Sequence, residues 1–485
     1  MLVRHSLIYG LTSVISGVLG FLLIAIYTRL LSPAEYGDYS LLIAAVSFTD
    51  ATVFLWIRNS LMRQVKDEHD DKDAAYITNA MAMYWSLSLA CVILPLLAFG
   101  ASAVFGFNMP PFMAVMGLVA MLEGLTNLVI FMARIRVRHN VFCMLSLLKP
   151  GLALCLGALF IWLGMGMAGA IYGMLVSLAI CTVIGFWHTT ELRRVRKSLL
   201  NRKVAMDIFT FGFPLVLALS IQFATRMTDR VLIETLIGDD ATGLYAAAQD
   251  LPLKILMIIV YSIHLAAYPL AVKAMDKHGE DAARKQLATN FTLLAAVSFP
   301  ACIGLAVLAP NFAWFFVGEE FRPFVMANLG WFTAIALMNC LIQYYFILPF
   351  NLAKKTGLLM QPFIAALIIN VIVSYFGIKH FGVMGAALGS FVGYSTLFVV
   401  TLLLSRKVFP MPLPWKATAQ LALASFVMGA VVWALPKNLS LVSLICSVTV
   451  GAMVYAAMVY IQNVADMRPV LHRKARYYVR KIKKA

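Results

Sequence analysis

Nine ionisable side chains lie within stretches that are otherwise apolar and long enough to cross a bilayer. Five are acids and four are bases: Asp50, Glu123, Asp229, Glu234, Asp250, Lys149, Arg226, Arg230 and Lys254. Each such charge costs about 2.5 kcal/mol or more at the centre of a bilayer unless it is paired or hydrated. Because the nine charges nearly cancel, a purely structural network of ion pairs remains open, but their uneven distribution favours a transport site.

The charges concentrate in one predicted helix. Arg226, Arg230 and Glu234 recur every four residues and therefore share one face, with Asp229 beside Arg226. Two arginines one turn apart, about 5–6 Å, are spaced to bind both phosphates of a pyrophosphate, because a guanidinium group binds phosphate through two parallel hydrogen bonds. Further candidate cations of the same site are Lys149 and Lys254. We expect the acids to orient these bases or to carry protons or ions: Asp50, Glu123, Asp229, Glu234 and Asp250.

The elements that must position these residues are membrane helices. Of the 485 residues, 62% are apolar and only 13% are charged, against about 25% charged in ordinary soluble domains, which excludes a soluble globular or disordered protein. Strands of a membrane barrel would be shorter and would alternate apolar with polar residues, and these stretches do not. We predict fourteen spans, at residues 7–27, 39–56, 76–99, 111–132, 141–163, 167–187, 208–236, 244–272, 287–308, 324–350, 358–378, 383–404, 417–435 and 439–461.

The excess of basic residues indicates topology. The chain carries 39 Lys and Arg against 22 Asp and Glu, a formal charge of +17, which in a soluble protein would suggest nucleic-acid binding. With the N-terminus placed in the cytoplasm, 31 of the 39 basic residues fall in cytoplasmic connections or in the C-terminal tail, and four fall on the opposite side. We therefore expect both termini in the cytoplasm and no nucleic-acid partner. The basic tail from Arg473 to Lys484 either fixes this topology or binds anionic lipid.

The chain also repeats itself weakly, with a spacing of about 210 residues. Four matches occur in order: LLSPAEYGDY at 30–39 with LIGDDATGLY at 236–245, TN at 78–79 with TN at 289–290, KP at 149–150 with QP at 361–362, and MAGAIYG at 167–173 with VMGAALG at 383–389. Six spans per repeat leave both halves in the same orientation, related by a pseudo-two-fold axis along the membrane normal. We predict two six-helix lobes, 1–200 and 201–407, around a central cavity, followed by two further helices and the tail at 408–485.

Other patterns refine this picture. Two sets of glycines have the four-residue spacing that lets membrane helices approach closely: Gly169 and Gly173, and Gly385, Gly389 and Gly393. The dipeptide Gly-Lys does not occur, which excludes the phosphate-binding loop of an attached ATPase. The seven cysteines include no CxxC pair and the eight histidines are scattered, so we expect no metal and no cofactor.

Several segments resemble a known family. The residues TRLLSPAEYGDYS after the first span, FGFP at 211–214, Asp229-Arg230 and LIGDDATGLYAAAQDL at 236–251 are similar to bacterial polysaccharide transporters of the Wzx type. These transporters belong to the multidrug/oligosaccharidyl-lipid/polysaccharide (MOP) superfamily, and the resemblance covers spans 1–12 in layout. It implies an all-α MOP-like fold in the bacterial inner membrane. It also implies a flippase, not an enzyme, that moves an undecaprenyl-pyrophosphate-linked oligosaccharide to the periplasmic leaflet by alternating access. The cationic cavity would contain Arg226, Arg230, Lys149 and Lys254.

The expected partners are the lipid-linked oligosaccharide, membrane lipid, and a polysaccharide polymerase with its export machinery; we expect a monomer. Three alternatives remain: a lipid II flippase, a MATE-like exporter of small molecules, and an integral-membrane glycosyltransferase or polymerase. An exporter of organic cations would need an acidic cavity, which Arg226 and Arg230 disfavour. A membrane glycosyltransferase usually carries a sizeable external loop, and the polar segments of this sequence are short.

Overall fold

The apolar stretches form helices throughout the part of the chain that the structure, a computed structural model, describes: residues 2–65, 71–105, 112–193, 196–353, 355–436 and 438–464. Fourteen membrane helices lie in these ranges, which confirms the predicted all-α fold. They are α1 (Leu2–Leu30), α2 (Pro33–Thr49, continued by Asp50–Phe54 and Leu55–Gln64), α3 (Asp71–Phe105), α4 (Phe112–Ile135), α5 (His139–Phe160), α6 (Gly166–His188), α7 (Arg202–Leu236), α8 and α9 (239–278 and 280–307, the two arms of Asp239–Val307), α10 (Arg322–Leu341, continued by Ile342–Phe346 and Leu348–Leu352), α11 (Met360–Phe381), α12 (Val383–Val408), α13 (Trp415–Ala434) and α14 (Leu441–Ile461).

Hydropathy alone identifies eleven apolar helical stretches among the described residues. Two of these, His139–His188 with 50 residues and Asp239–Val307 with 69 residues, are each long enough for two crossings, because one crossing needs about 20 residues. Both contain a glycine with positive φ at the break, Gly164 (φ 89°) and Gly279 (φ 78°). The remaining helix is α7, which has 35 residues and is therefore also long enough to cross the membrane.

The second helix is longer than the sequence predicted. It was expected at 39–56, but it begins at Pro33 and its last segment ends at Gln64. A capping box defines its start, because the Ser32 hydroxyl accepts from the backbone N–H of Glu35 and the Glu35 carboxylate accepts from the backbone N–H of Ser32. Proline at the first helical position adds a preset backbone angle. As a result Arg58, which falls just after the predicted span at 39–56 and therefore in the following cytoplasmic connection, lies inside a membrane helix.

The described residues pack into two compact units. Unit 1 contains the described residues of Met1–Asp250 and Lys354–Thr401. Unit 2 contains the described residues of Leu251–Ala353 and Leu402–Ala485. Unit 1 therefore holds α1–α7, the start of α8, α11 and most of α12. The six-helix lobes predicted at 1–200 and 201–407 stay a prediction. The basic tail from Arg473 to Lys484 lies outside the described residues.

Within unit 1, the first pair of repeated segments pack against each other. A Cβ atom on Gly37 would lie 2.3 Å from the carbonyl oxygen of Asp239, and a Cβ atom on Gly243 would lie 1.9 Å from that of Pro33. The repeat offset of 206 relates Gly37 to Gly243 and Pro33 to Asp239. Exchanging the two repeats therefore converts the Gly37–Asp239 contact into the Gly243–Pro33 contact, as a two-fold axis requires. At this axis α2 and α8 cross with their backbones in contact.

The last pair of repeated segments, at 167–173 and 383–389, also share a structural feature: glycines of each lie very close to the preceding helix. On α6, Cβ atoms at Gly169 and Gly173 would collide with the backbone of α5 at 2.7 and 2.3 Å. On α12, a Cβ at Gly385 would lie 1.9 Å from the backbone of Gly377, and one at Gly389 would lie 2.0 Å from Ser374 Oγ on α11. Two hairpins, α5–α6 and α11–α12, thus use the same spacing of small residues, which confirms the predicted close contacts.

We expect substitution of Gly243 by alanine to destabilise the protein. The new methyl group would overlap a backbone carbonyl, which cannot rotate away as a side chain can, so the two helices must separate. Overpacking of this kind costs about 1–3 kcal/mol. The measurement is the thermal unfolding midpoint of the purified protein in detergent, which should fall by several degrees.

Gly151→Ala is the matched control for Gly243→Ala. Gly151 also lies inside a helix of unit 1, but a Cβ there would have its nearest neighbour, Leu19 Cδ1, at 4.0 Å. This variant should be as stable as the wild type or slightly more stable, because alanine is the better helix former. Equal midpoints for the two variants would contradict the proposed backbone contact.

Candidate functional site

Five side chains of α2, α4 and α5 form a continuous polar network within unit 1. Arg58 donates to both carboxylate oxygens of Asp50, with both N–O distances at 2.7 Å. Asn127 Nδ2 lies 3.2 Å from Asp50 Oδ2 and 3.1 Å from Glu123 Oε1. Lys149 Nζ donates to Glu123 Oε1 at 2.5 Å and to Asn127 Oδ1 at 3.0 Å. With two acids and two bases, this network, the α2–α4–α5 network, is electrically neutral.

Arg58 reaches Asp50 because α2 contains a π-turn between them. In a regular helix, residues eight apart are rotated by about 80° from each other. The π-turn at Asp50–Phe54 accommodates one extra residue, which removes most of that rotation and places both side chains on one face. The long side chain of Arg58 then extends toward the N-terminus of its own helix, the direction that helical side chains take. The π-turn therefore creates the bidentate pair.

Arg230 on α7 is also fully engaged. It is only 4% exposed. One terminal nitrogen donates to the backbone carbonyl of Ser40 on α2 at 2.7 Å, and the other lies 2.9 Å from both carboxylate oxygens of Asp250 on α8. Arg230 therefore ties three helices of unit 1 together, and both of its terminal nitrogens are occupied. The two-arginine pyrophosphate grip expected from the sequence would require Arg230 to release these partners.

Arg226 differs from every other cation discussed so far. It lies on α7 one turn before Arg230 and is half-buried. Among the described residues it forms no ion pair and no side-chain hydrogen bond. Its five N–H donors are therefore available to an anion. Lys254, the remaining predicted cation, is an exposed residue of α8 that belongs to unit 2.

Asp229 occupies a closed cage of neutral hydrogen-bond donors. It is 1% exposed. Its Oδ1 accepts from Asn370 at 3.1 Å and Ser374 at 3.2 Å on α11. Its Oδ2 accepts from Tyr245 at 3.1 Å on α8 and from Ser390 at 2.5 Å on α12. None of these donors is a cation, so the carboxylate holds its charge by hydrogen bonds alone or carries a proton.

Two carbonyl oxygens near this cage lack partners. Asn370 Oδ1 and Gln249 Oε1 are buried and accept no hydrogen bond from any described residue. The Gln249 amide nitrogen donates to Tyr245, which in turn donates to Asp229. A carboxylate surrounded by hydroxyl and amide oxygens is the donor chemistry that suits a proton or a small hard cation. The Asp229 cage is thus one candidate place in unit 1 for a proton or such an ion.

Glu234, the last predicted site residue, belongs to a different acidic group. Carboxylate oxygens of Asp38, Glu234 and Asp239 lie within 4.8 Å of one another, near the ends of α2, α7 and α8 that meet at the Gly37–Gly243 contact. Three carboxylates at this separation repel one another. A cation or protons would relieve that repulsion, and among the described residues no base forms an ion pair with any of the three acids.

The sequence predicted the ionisable residues of the two networks except Arg58, and it missed their neutral partners. Asn127, Tyr245, Asn370, Ser374 and Ser390 complete the two networks, and each is an ordinary polar residue within an apolar span. The sequence did contain part of this information. Asn127 follows Glu123 by four residues and Asn370 precedes Ser374 by four, so each pair lies on one face of its helix. Assigning these residues to Asp50 or Asp229 required knowledge of which helices are neighbours.

We expect Asp50→Asn to destabilise the protein strongly. The substitution leaves the Arg58 guanidinium buried without a counter-charge, and breaking a buried ion pair from one side costs about 3–5 kcal/mol. Thermal unfolding in detergent should show a large fall in the midpoint. The double variant Asp50→Asn with Arg58→Met, which removes both charges, should recover much of the loss.

Glu280→Gln is the control for Asp50→Asn. Glu280 pairs with Arg284 at 3.3 Å, but its side chain is exposed. An exposed pair contributes about 0–1 kcal/mol, so this variant should unfold within a degree or two of the wild type. If Asp50→Asn were equally mild, the α2–α4–α5 network would not be a structural element of unit 1.

Comparison with known proteins shows which family this chain belongs to and which solved structures share its fold. The family described as "Polysaccharide biosynthesis protein" matches residues 26–326. A relative described as an uncharacterized membrane protein in the cps region of Klebsiella pneumoniae is 22% identical over 407 residues, 78% of this chain and 77% of that protein. The lipid II flippase MurJ, inward closed, aligns with a TM-score of 0.73 at 12% identity, over 95% of this chain and 100% of that chain. An inward-facing MATE multidrug resistance transporter of the MOP superfamily gives a TM-score of 0.66 at 15% identity, over 81% and 94%. The chain belongs to the polysaccharide biosynthesis protein family and has the fold of MOP-superfamily transporters.

Proposed function

We propose that this chain is a flippase for a lipid-linked oligosaccharide. In this proposal it moves an undecaprenyl-pyrophosphate-linked polysaccharide repeat unit from the cytoplasmic to the periplasmic leaflet by alternating access. Membership of the polysaccharide biosynthesis family supports the substrate class. The relative in a cps region and the fold shared with a lipid II flippase support the kind of transport.

The physical task explains why a protein is needed. A pyrophosphate and many sugar hydroxyls cannot enter hydrocarbon, because each polar group without a hydrogen-bond partner costs several kcal/mol there. Fixed cations and hydrogen-bonding side chains replace the lost water, and the polyprenyl chain stays in lipid. Outward movement of a negative headgroup is also favoured by an inside-negative potential, by about 2.3 kcal/mol per charge per 100 mV.

The observation that carries the proposal is the unpaired state of Arg226. Arg58, Lys149 and Arg230 are each bound to a carboxylate in unit 1, whereas Arg226 has no acidic partner among the described residues. An anion-binding group must keep its donors available, and a half-buried arginine strengthens its interaction with phosphate by limiting the competing water. We therefore assign the main phosphate contact to Arg226. Arg230 orients α7 through Ser40 and Asp250, and Lys254 stays a predicted second contact.

We assign Lys149 to the sugar part of the substrate and not to the phosphate. Its ammonium group is bound to Glu123 and Asn127, and the network that contains it is neutral. A phosphate would have to displace Glu123 from Lys149 to bind there. The same set of carboxylate, amide and ammonium groups offers both donors and acceptors, which suits the uncharged hydroxyls of a sugar. We propose that Lys149, Glu123 and Asp50 contact the oligosaccharide or orient the groups that do.

We expect Arg226→Ala to reduce flipping about 10- to 100-fold, because a hydrogen bond to a charged group contributes about 1.5–3 kcal/mol. Arg226→Lys should retain part of the activity, since lysine keeps the charge but loses the two parallel hydrogen bonds. The assay is the movement of undecaprenyl-pyrophosphate-linked oligosaccharide in proteoliposomes, together with polymer export from cells. Unfolding midpoints should match the wild type for both variants.

Arg196→Ala is the matched control, because Arg196 is an exposed arginine of unit 1 that lies between α6 and α7. It should flip substrate at the wild-type rate. Wild-type flipping by Arg226→Ala would overturn the assignment of the phosphate contact. A loss of flipping that paralleled a loss of stability would instead give Arg226 a structural role.

We also propose that Asp229 couples transport to a proton or a small cation. Asp229→Asn preserves the size of the side chain but removes its charge. We expect an imposed pH or sodium gradient to accelerate flipping by the wild-type protein and to leave the rate of Asp229→Asn unchanged. Asp276→Asn, which alters an exposed acid of α8, should respond as the wild type does. A gradient response that survives in Asp229→Asn would exclude this residue as the coupling site.

A further inference from the structure

Four aromatic rings of α8 and α10 pack together within unit 2. His264 and Tyr268 of α8 are stacked, with ring centroids 5.2 Å apart and an angle of 14° between their planes. The ring centroid of Tyr344 on α10 lies 5.9 Å from that of Tyr261 and 5.2 Å from that of His264. All four side chains are half-buried. These residues form the α8–α10 aromatic cluster.

The spacing along α8 places its three rings on one side of the helix. Tyr268 follows Tyr261 by seven residues, close to two full turns, and His264 lies between them, three residues from one and four from the other. Lys254 precedes Tyr261 by another seven residues and therefore shares that face. The face thus carries one cation followed by aromatic rings.

The ring from α10 belongs to the π-turn Ile342–Phe346. Its two neighbouring tyrosines differ in environment. Tyr345 is completely buried, and its hydroxyl donates to the backbone carbonyl of Pro412 at 2.6 Å. Tyr344 is half-buried and packs against α8 instead. Tyr345 is therefore a core residue of unit 2, whereas Tyr344 completes the cluster.

The polar atoms of the three α8 rings include several without partners. No described residue forms a hydrogen bond with the hydroxyl of Tyr261, the hydroxyl of Tyr268 or Nε2 of His264, and none of these atoms is sealed from solvent. Nδ1 of His264 donates to the backbone carbonyl of Tyr344 at 3.2 Å, because a carbonyl can only accept. In the neutral imidazole, Nε2 is therefore an acceptor. Because unpaired polar groups are costly against hydrocarbon, this surface is suited to water or to a polar ligand.

A pyranose ring matches both the rings and the polar atoms. Its faces carry C–H groups, and an aromatic ring attracts them because its face carries partial negative charge. Its rim carries hydroxyls, which can bond the polar tips of tyrosine and histidine while the apolar bodies of those side chains pack against the sugar. Aromatic faces also attract organic cations. The cluster contains no carboxylate, however, and Lys254 on the same face of α8 would repel a cation.

We propose that the α8–α10 aromatic cluster stacks against a pyranose ring of the oligosaccharide. The inference rests on the proposed flippase function and adds ring contacts, which the charged and amide groups of the α2–α4–α5 network do not offer. Tyr261 and Tyr268 supply ring faces and hydroxyls, and Nε2 of His264 accepts a hydrogen bond from a sugar hydroxyl. The cluster recognises the sugar independently of the phosphate that Arg226 binds.

The test uses the sugar without its carrier lipid. The probe is the oligosaccharide repeat unit released from its pyrophosphate lipid by mild acid, added to the purified full-length protein in a detergent that has no sugar headgroup. A titration followed by saturation-transfer NMR should show binding to the wild type. Tyr261→Ala and Tyr268→Ala should each weaken it about 3- to 10-fold, the factor expected for one aromatic contact. Tyr261→Phe should lose less, because it keeps the ring.

A control variant and a second probe separate the sugar contact from other effects. Tyr460→Ala alters an exposed tyrosine of α14 in unit 2 and should bind the sugar as the wild type does. Undecaprenyl pyrophosphate without sugar should bind both alanine variants of the cluster as tightly as the wild type, whereas Arg226→Ala should weaken it. Unfolding midpoints of the tyrosine variants should stay close to that of the wild type.

The opposite results would overturn the proposal. These are no binding of the sugar to the wild type, wild-type affinity in both alanine variants, or equal losses of sugar and of undecaprenyl pyrophosphate. Displacement of the sugar by tetraphenylphosphonium would assign the cluster to organic cations and would also overturn it. Flipping assays test the proposed function separately. Sugar binding that requires Tyr261 in a protein that does not flip would support the site and overturn the flippase, and flipping with no dependence on either tyrosine would do the reverse.

Discussion

A charged side chain that is buried in the interior of a bilayer has no water to solvate it, so the protein must supply a partner for every charge that it buries there. Unit 1 meets this requirement in three ways. Arg58 and Arg230 each bind a carboxylate through short, direct hydrogen bonds, and Lys149 shares its proton donors between Glu123 and Asn127. Asp229 is surrounded by neutral donors. Arg58 and Asp50 both belong to α2, whereas the partners of Lys149, Arg230 and Asp229 come from other helices, so these contacts join neighbouring helices of unit 1.

Close helix packing makes these short distances attainable. Arg230 reaches Ser40 and Asp250 because α7 lies against both α2 and α8, and α2 and α8 cross at Gly37 and Gly243 with no side chains between them. A larger residue at either glycine would move the two helices apart and lengthen the contacts through which Arg230 of α7 bridges them. The repeat in the sequence is therefore more than a trace of duplication, because its two copies form one of the contacts on which the charge network depends.

Much of this fold follows from the sequence, and the reason is physical. A membrane helix is a local structure whose length, apolar character and flanking charges are all visible in one stretch of chain, so the fourteen helices and the glycine contacts within hairpins could be predicted. Arg58 could not, because a π-turn of five residues changed which face of α2 it occupies. The partners of Asp229 could not either, since Tyr245, Asn370 and Ser390 come from three helices whose proximity is a property of the tertiary structure.

The distinction between Arg226 and Arg230 follows from the same electrostatics. Both are arginines on one face of α7, and composition or spacing treats them alike. A cation that is almost completely buried needs a permanent counter-charge, and Arg230 has one in Asp250. A cation that binds a passing anion must be stable without its ligand, so it has to retain some contact with water. The half-buried position of Arg226 meets both conditions: water supports its charge in the unliganded protein, and a phosphate replaces that water only while it is bound. The energetic cost of an unpaired charge thus restricts a transport site to partly exposed positions, and in the described part of α7 this leads to Arg226.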